Sequence, residues 1–210
     1  MDQLDFKKAL KHLFSASANK AAIVEVPECQ YLMVDGEGDP KNNPHFSQAM
    51  QTLYGILYGL KMGWKFEKLE RPHGYVDFTV APPEALWWMA DGGVFDIAQR
   101  SDWRWTQLIM MPDFATKEMV YAVAAEVRHK KGEASIAPYR FERWEEGTCV
   151  QIMHLGTYDA EAPALEKMHR FAKENGYEMH GKHHEIYLSD PRRTAPEKIK
   201  TILRHPVRKG

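Results

Sequence analysis

Cysteine is scarce in this chain of 210 residues. The two present, Cys29 and Cys149, belong to no Cys-x-x-Cys pair, which excludes a disulfide framework and suits a reducing, cytoplasmic home. Long apolar runs are missing as well. With a mean hydropathy of -0.53 and nothing close to the roughly 20 apolar residues of a spanning helix, no membrane protein is expected. An excess of basic charge is also lacking, since the net charge is -1. Phosphate contacts need a basic surface, so a nucleic-acid partner is not expected. The one dissenting stretch, from Arg192 to the end, reads as a solvated, basic terminal helix balancing an acidic body.

Several catalytic templates are missing too. Gly36 and Gly38 precede no Lys-Ser or Lys-Thr pair, so there is no phosphate loop. No Gly-x-Ser-x-Gly occurs, which removes the serine nucleophile elbow. No cofactor motif is present and none is expected. Low-complexity linkers are absent, and the whole chain reads as one domain.

What is present is an order of signals that occurs twice. YLMVDGEG reads as a strand ending in glycine. Asn43 and Pro44 then give a cap and a first helical position, and Phe46, Met50, Leu53, Tyr54 and Leu57 follow at helical spacing. Gly55 and Gly59 leave a small strip for close packing. CVQIMHLG repeats the strand, Pro163 opens a second helix, and Leu165, Met168 and Ala172 form its apolar face. Each copy then enters a strand, GYVDFTV in one and HEIYLSD in the other, followed by Pro82 or Pro191. PPEALWWMADGG, a strand WRWTQLIMM and a helix from Thr116 to about Lys130 lie between the copies. YRFERW and TCVQIMHL, meeting at Glu146 and Gly147, read as a hairpin.

The expected architecture is α+β: duplicated strand-helix-strand modules on an antiparallel sheet, with helices on one face. Residues 1–20 form an amphipathic helix on Phe6, Leu10, Leu13 and Phe14, with no cleavable leader. Residues 21–112 form the first module, 113–145 a connecting helix and strand, and 146–210 the second module with its basic tail.

HGKHHEIYLSD is the sharpest chemical feature. Strand alternation groups His183, Glu185 and Tyr187 on one face, while Ile186 and Leu188 turn toward the helices. If the first face is wet, these are ordinary polar residues. If aromatics cover it, Glu185 is a buried carboxylate with raised proton affinity, available as a general base or a counter-charge. Six tryptophans offer such cover, five of them between Trp64 and Trp105. Trp103 and Trp105 share a strand face, Trp87 and Trp88 follow the first copy, and Tyr75 takes roughly the place that matches Glu185. His180, His183 and His184 with Glu185 are metal-ligand types. The strand phase sends His183 and His184 to opposite faces, so no metal site is expected.

YLMVDGEGDP with its capped helix, MHLGTYDAEAPALEKMHRFAKENGY, HHEIYLSDPRR and PPEALWW together resemble the GyrI-like superfamily, from about Gln30 to Arg193. The resemblance implies two strand-helix-strand-strand modules related by a pseudo-twofold, with a ligand groove between them. It also implies a ligand-contacting glutamate on the last strand, a position matched by Glu185. A branch of stand-alone members that resembles this sequence hydrolyses cyclopropanoid, DNA-alkylating compounds and so protects the cell. On that reading Glu185 activates water, and Tyr187 or Tyr139 hydrogen-bonds the oxygen where charge develops. Trp64, Tyr75, Trp87, Trp88, Trp103 and Trp105 then supply walls for a flat aromatic or amphipathic ligand. The rival readings are a non-catalytic module that sequesters amphipathic or cationic drugs, and a protein inhibitor of a topoisomerase. The oligomeric state is left open.

Overall fold

The computed structural model describes residues 3–93 and 99–210. In chain order its elements are β1 (Leu4–Asp5), α1 (Phe6–Ala9), β2 (Ala22–Val26), β3 (Cys29–Glu37), α2 (Pro44–Lys65), β4 (Phe78–Thr79), β5 (Pro83–Met89) and β6 (Trp103–Met111). Then come α3 (Lys117–Lys131), β7 (Arg140–Trp144), β8 (Gly147–Leu155), α4 (Ala162–Glu174), β9 (Tyr177–Met179), β10 (His183–Tyr187) and β11 (Lys200–Lys209). The main sheet runs β2-β8-β11-β10-β5-β6-β3-β7, antiparallel throughout, with β9 added on β11.

The duplication is visible in that order. β3-α2-β5-β6 and β8-α4-β10-β11 are two strand-helix-strand-strand units, and they meet where β5 pairs with β10. The second strand of the first unit is PEALWWM, not GYVDFTV. Only Phe78 and Thr79 of the latter are extended, and they pair with β1 outside the main sheet. Phe78 is instead buried among Trp64 and Phe114.

Short links force the sheet to curl. Pro27 and Glu28 join β2, at one end of the order, to β3, next to the other end, while Glu145 and Glu146 join β7 to β8. Two residues span too little for a flat sheet of eight strands, so the ends must swing toward each other. YRFERW and TCVQIMHL therefore do not pair as a hairpin: β7 pairs with β3, and β8 with β2 and β11. Side chains meet across the curl, as the Trp144 ring of β7 does with His184 of β10 at a centroid distance of 6.1 Å.

The helices lie on the outside of the curl. Asn43 caps α2 by accepting a hydrogen bond from the His45 backbone N–H, Pro44 supplies the first turn, and Leu53, Ile56, Leu57 and Leu60 are fully buried. α3 packs on α2 at Gly59, where an added Cβ would come within 2.5 Å of Val123 Cγ1. In the second unit Met168 and Ala172 of α4 close over Val150, Ile152 and Leu203.

The terminal segments differ from the sequence expectation. Only Phe6–Ala9 is helical at the start, although Phe6, Leu13 and Phe14 are buried there as apolar anchors. The basic tail is no solvated helix: Lys200–Lys209 is an interior strand between β8 and β10. Its Arg204 is buried, with bonds to Gln151 Oε1 and to the Leu13 carbonyl. Among the described residues no helix is long and apolar enough to cross a membrane.

Candidate functional site

β10 is buried on both faces, and the two faces differ in charge chemistry. Inside the curl, His184 Nδ1 donates to Glu146 Oε2 at 2.9 Å, and Nε2 lies 2.9 Å from Glu84 Oε2 as an ion pair out of line for a hydrogen bond. Arg204 Nη1 adds a contact of 3.5 Å to Glu146. Two anions thus face two cations. Burial opposes the charge on His184, but its two carboxylate partners prevail and lift it to about 9, while Glu146 is held below the usual carboxylate range.

The outer face of β10 carries His183, Glu185 and Tyr187, the group that alternation assembles. It faces the helices, however, and Ile186 turns inward to the curl. The register shows why: Glu185 lies level with Leu203, which packs under α4, and with Ala85, which is level with Gln107. Gln107 Nε2 in turn donates to the Phe46 carbonyl at the start of α2. The groove between the two helices therefore has Glu185 and Tyr187 in its floor.

The cavity measures about 730 Å³. Phe46, Met50 and Tyr54 of α2 form one wall, Thr157, Tyr158 and Glu161 ahead of α4 the other, and Trp87 and Trp103 close the first-module end. The aromatic rings brace one another. Phe46 stacks on Trp87 at 5.8 Å, Trp87 meets Trp103 edge-on at 5.2 Å, and Tyr158 meets Tyr187 edge-on at 5.5 Å. Charged residues stay at the rim: Arg100 and Lys41 both pair with Asp159, and Arg192 pairs with Asp190.

Glu161 is the residue that sequence reasoning missed. It directly precedes α4, as Asn43 precedes α2, yet its side chain caps nothing. It is 3% exposed, its Oε1 has no hydrogen-bond partner, and it points to Glu185. Tyr187 donates its phenol to Glu185 Oε2 at 2.7 Å, and His183 Nε2 lies 3.4 Å from Oε1. Burial and then the Glu185 charge push Glu161 up to about 10, so it is a neutral acid beside a carboxylate at neutral pH. The same two causes raise the Tyr187 phenol well above its ordinary range and the Tyr158 phenol to about 12. The carboxyl pair belongs to the second unit alone, because Asn43 and Ala85 hold the corresponding places in the first.

A floor built where two such units meet, between their helices, is the arrangement of a known domain. Residues 20–208 match the model of the GyrI-like small molecule binding domain. The chain belongs to the GyrI-like family. Three solved structures from Listeria innocua are similar to this GyrI-like domain over nearly its whole length. One, an uncharacterized conserved protein, is 41% identical with a TM-score of 0.90, and the alignment covers 98% of this chain and 100% of that one. A second, described as a hydrolase, is 38% identical with a TM-score of 0.86 and the same coverage. The third, also described as a hydrolase, is 40% identical with a TM-score of 0.88, covering 99% and 100%. No match is found among curated protein sequences.

Of the residues singled out in the sequence, the GyrI-like groove brings together Glu185, Tyr187, Trp87 and Trp103. The others lie outside its lining. Trp64 and Tyr75 pack against each other and Phe114 behind α2. Tyr75 also lies outside any strand, so the residue level with Glu185 is Ala85. Trp88 points to the opposite face of β5 from Trp87, with Lys182 Nζ 3.5 Å from its ring centroid. Trp105 is fully buried beneath Phe46 and His45, in space that exists because Gly36 has no Cβ: one there would sit 2.1 Å from its ring. Tyr139 packs on Tyr121 of α3. Phe46 and Tyr54 were legible as helix apolar positions but not as groove walls. Tyr158 and Glu161 carried no periodic signal, since they lie in the turn before α4.

Proposed function

We propose that this GyrI-like domain is a hydrolase that opens the strained ring of flat, cyclopropanoid alkylating compounds by adding water, and so protects against them. The observation that carries the reading is a buried carboxyl pair, Glu161 and Glu185, in the floor of an aromatic-walled groove. The hydrolase descriptions of the Listeria innocua structures support it.

The pair suits an addition of water across a cyclopropane conjugated to a carbonyl. A planar ligand lies between Phe46, Trp87 and Trp103 on one side and Tyr158 on the other. Water attacks the ring methylene, the carbon–carbon bond breaks, and its electrons pass to the carbonyl oxygen. Glu185 takes a proton from the attacking water, and Glu161, the neutral member of the pair, gives one to that oxygen. One proton shift between the adjacent carboxyls then restores the starting state. Tyr187 holds Glu185 through Oε2 and leaves Oε1 for water, so its role is positioning.

The test is Glu185→Gln, incubated beside the parent protein with a cyclopropane-bearing alkylator while mass spectrometry follows intact and ring-opened compound. Binding should persist and turnover should fall about 10²- to 10⁴-fold. A variant as fast as the parent removes the general-base role. Ligand bound but recovered intact from both proteins would favour a second reading, supported by the same uncompensated carboxyl pair: sequestration of cationic or amphipathic compounds.

A further inference from the structure

Two buried carboxyl groups this close cannot both carry full charge without a positive partner, and that partner is either a proton or a metal ion. Donor atoms of Glu161, His183 and Glu185 all lie within 4.8 Å of one another. His183 Nε2 and Glu185 Oε1 are 3.4 Å apart. That is the edge of a tetrahedron whose metal–ligand bonds are about 2.1 Å, the length zinc makes with histidine and carboxylate. The phase argument that separates His183 from His184 still holds. The third donor comes from the turn before α4, which no local motif reveals.

We propose that Glu161, His183 and Glu185 form a binding site for a divalent transition-metal ion of the zinc class, with its fourth position open to the groove. Glu161 is 3% exposed, and its buried Oε1, without a hydrogen-bond partner, is the independent sign of a missing ligand. The surroundings suit a metal. Tyr187 anchors Glu185 through Oε2 and orients Oε1, as outer-layer partners do at metal centres. His183 is backed by the His205 ring at 6.1 Å. One nitrogen and two carboxylate oxygens in a buried site match zinc better than magnesium or calcium, which take oxygen ligands and, for magnesium, retain several waters.

Occupancy converts Glu185 from a base into a ligand, so zinc inhibits ring opening rather than assisting it. This consequence rests on the proposed hydrolysis, whereas metal binding itself does not. The full chain, freed of metal by chelation and dialysis, is titrated with zinc chloride alone by calorimetry. One ion per chain should bind. Glu161→Gln and His183→Gln should each weaken binding at least about tenfold, and Tyr187→Phe, which keeps all three ligands, should weaken it less. Binding absent from the parent, or unchanged in both ligand variants, overturns the proposal. Should either variant fail to fold, cobalt(II) added to the parent decides: intense visible bands of a tetrahedral site support it, and a weak octahedral spectrum refutes it. Ring-opening turnover is measured separately with and without zinc. Failure of the metal-free protein to turn over removes the hydrolase reading and leaves the titration standing.

Discussion

Replacing Glu161 by glutamine should stabilise the protein at neutral pH and leave it nearly unchanged at pH 4.5. In the unfolded chain this carboxyl ionises at its ordinary value of 4.5, and in the fold it stays protonated to about 10. Between these limits the unfolded state holds fewer protons than the folded state, so stability falls as pH rises. At pH 7 the cost is roughly 2.5 units at 1.36 kcal/mol each, or about 3 kcal/mol. The amide has the same shape and nothing to ionise, so the gain of the variant should grow from near zero to as much as about 3 kcal/mol over that range. Urea denaturation of both proteins at several pH values, with a chelator present to keep the site metal-free, measures the difference directly. Two stability curves that run parallel from pH 4.5 to 7 would refute the buried neutral acid. A variant less stable at pH 7 than the parent would mean that Glu161 is ionised and paired.

Inside the curl, His184→Leu strips Glu84 and Glu146 of their shared cation and should cost roughly 3–5 kcal/mol in denaturant unfolding. In the parent protein this imidazole contributes stability that is full below pH 6.5 and lost as pH rises through about 9, because its folded value is the higher one. An unfolding midpoint unchanged by the substitution would sink the network's structural role. In the groove, Trp87→Ala should weaken a flat ligand by at least about 2 kcal/mol, near thirtyfold, in a fluorescence titration. Trp64→Phe, behind α2, should alter the melting temperature and not the affinity. Equal losses of affinity in the two would contradict the assignment of the groove walls.

The sequence made the repeat legible wherever it needed punctuation: Asn43 and Pro44 before α2, Pro163 at the start of α4, and glycines at the strand ends. Alternation also grouped His183, Glu185 and Tyr187 correctly. It could not say which way they face, because β10 is covered by helices on one side and by the curl on the other, and a strand buried twice has no polar face to read. PEALWWM was passed over as a strand for the same reason. β11 was disguised by its charges: Arg204 is tolerated in the core only because Gln151, Glu146 and the Leu13 carbonyl meet it, and all three are distant in sequence. Glu161 left no trace, since a turn residue acquires its meaning only when packing brings it to Glu185.

The two faces of β10 together separate architecture from chemistry. A buried charge is costly unless compensated, and inside the curl opposite charges are matched: Glu84 and Glu146 meet His184 and Arg204, while the Leu13 carbonyl and Gln151 accept further guanidinium protons. This charge-matched network locks β10 to β11, β5 and the β7–β8 link. One residue along the same strand no guanidinium meets the acids: Glu185 has the Tyr187 phenol and His183 beside it, and Glu161 stays neutral. Glu185 and Glu161 are buried as well, yet Arg100, Lys41 and Arg192 stay at the rim and pair with Asp159 and Asp190. A single Gln at either position would relieve the strain. Two acids where one charge is the most the metal-free site can hold leave a single proton between them, the one that the proposed ring opening moves and the proposed metal ion displaces, on a strand fixed from behind by the inner network.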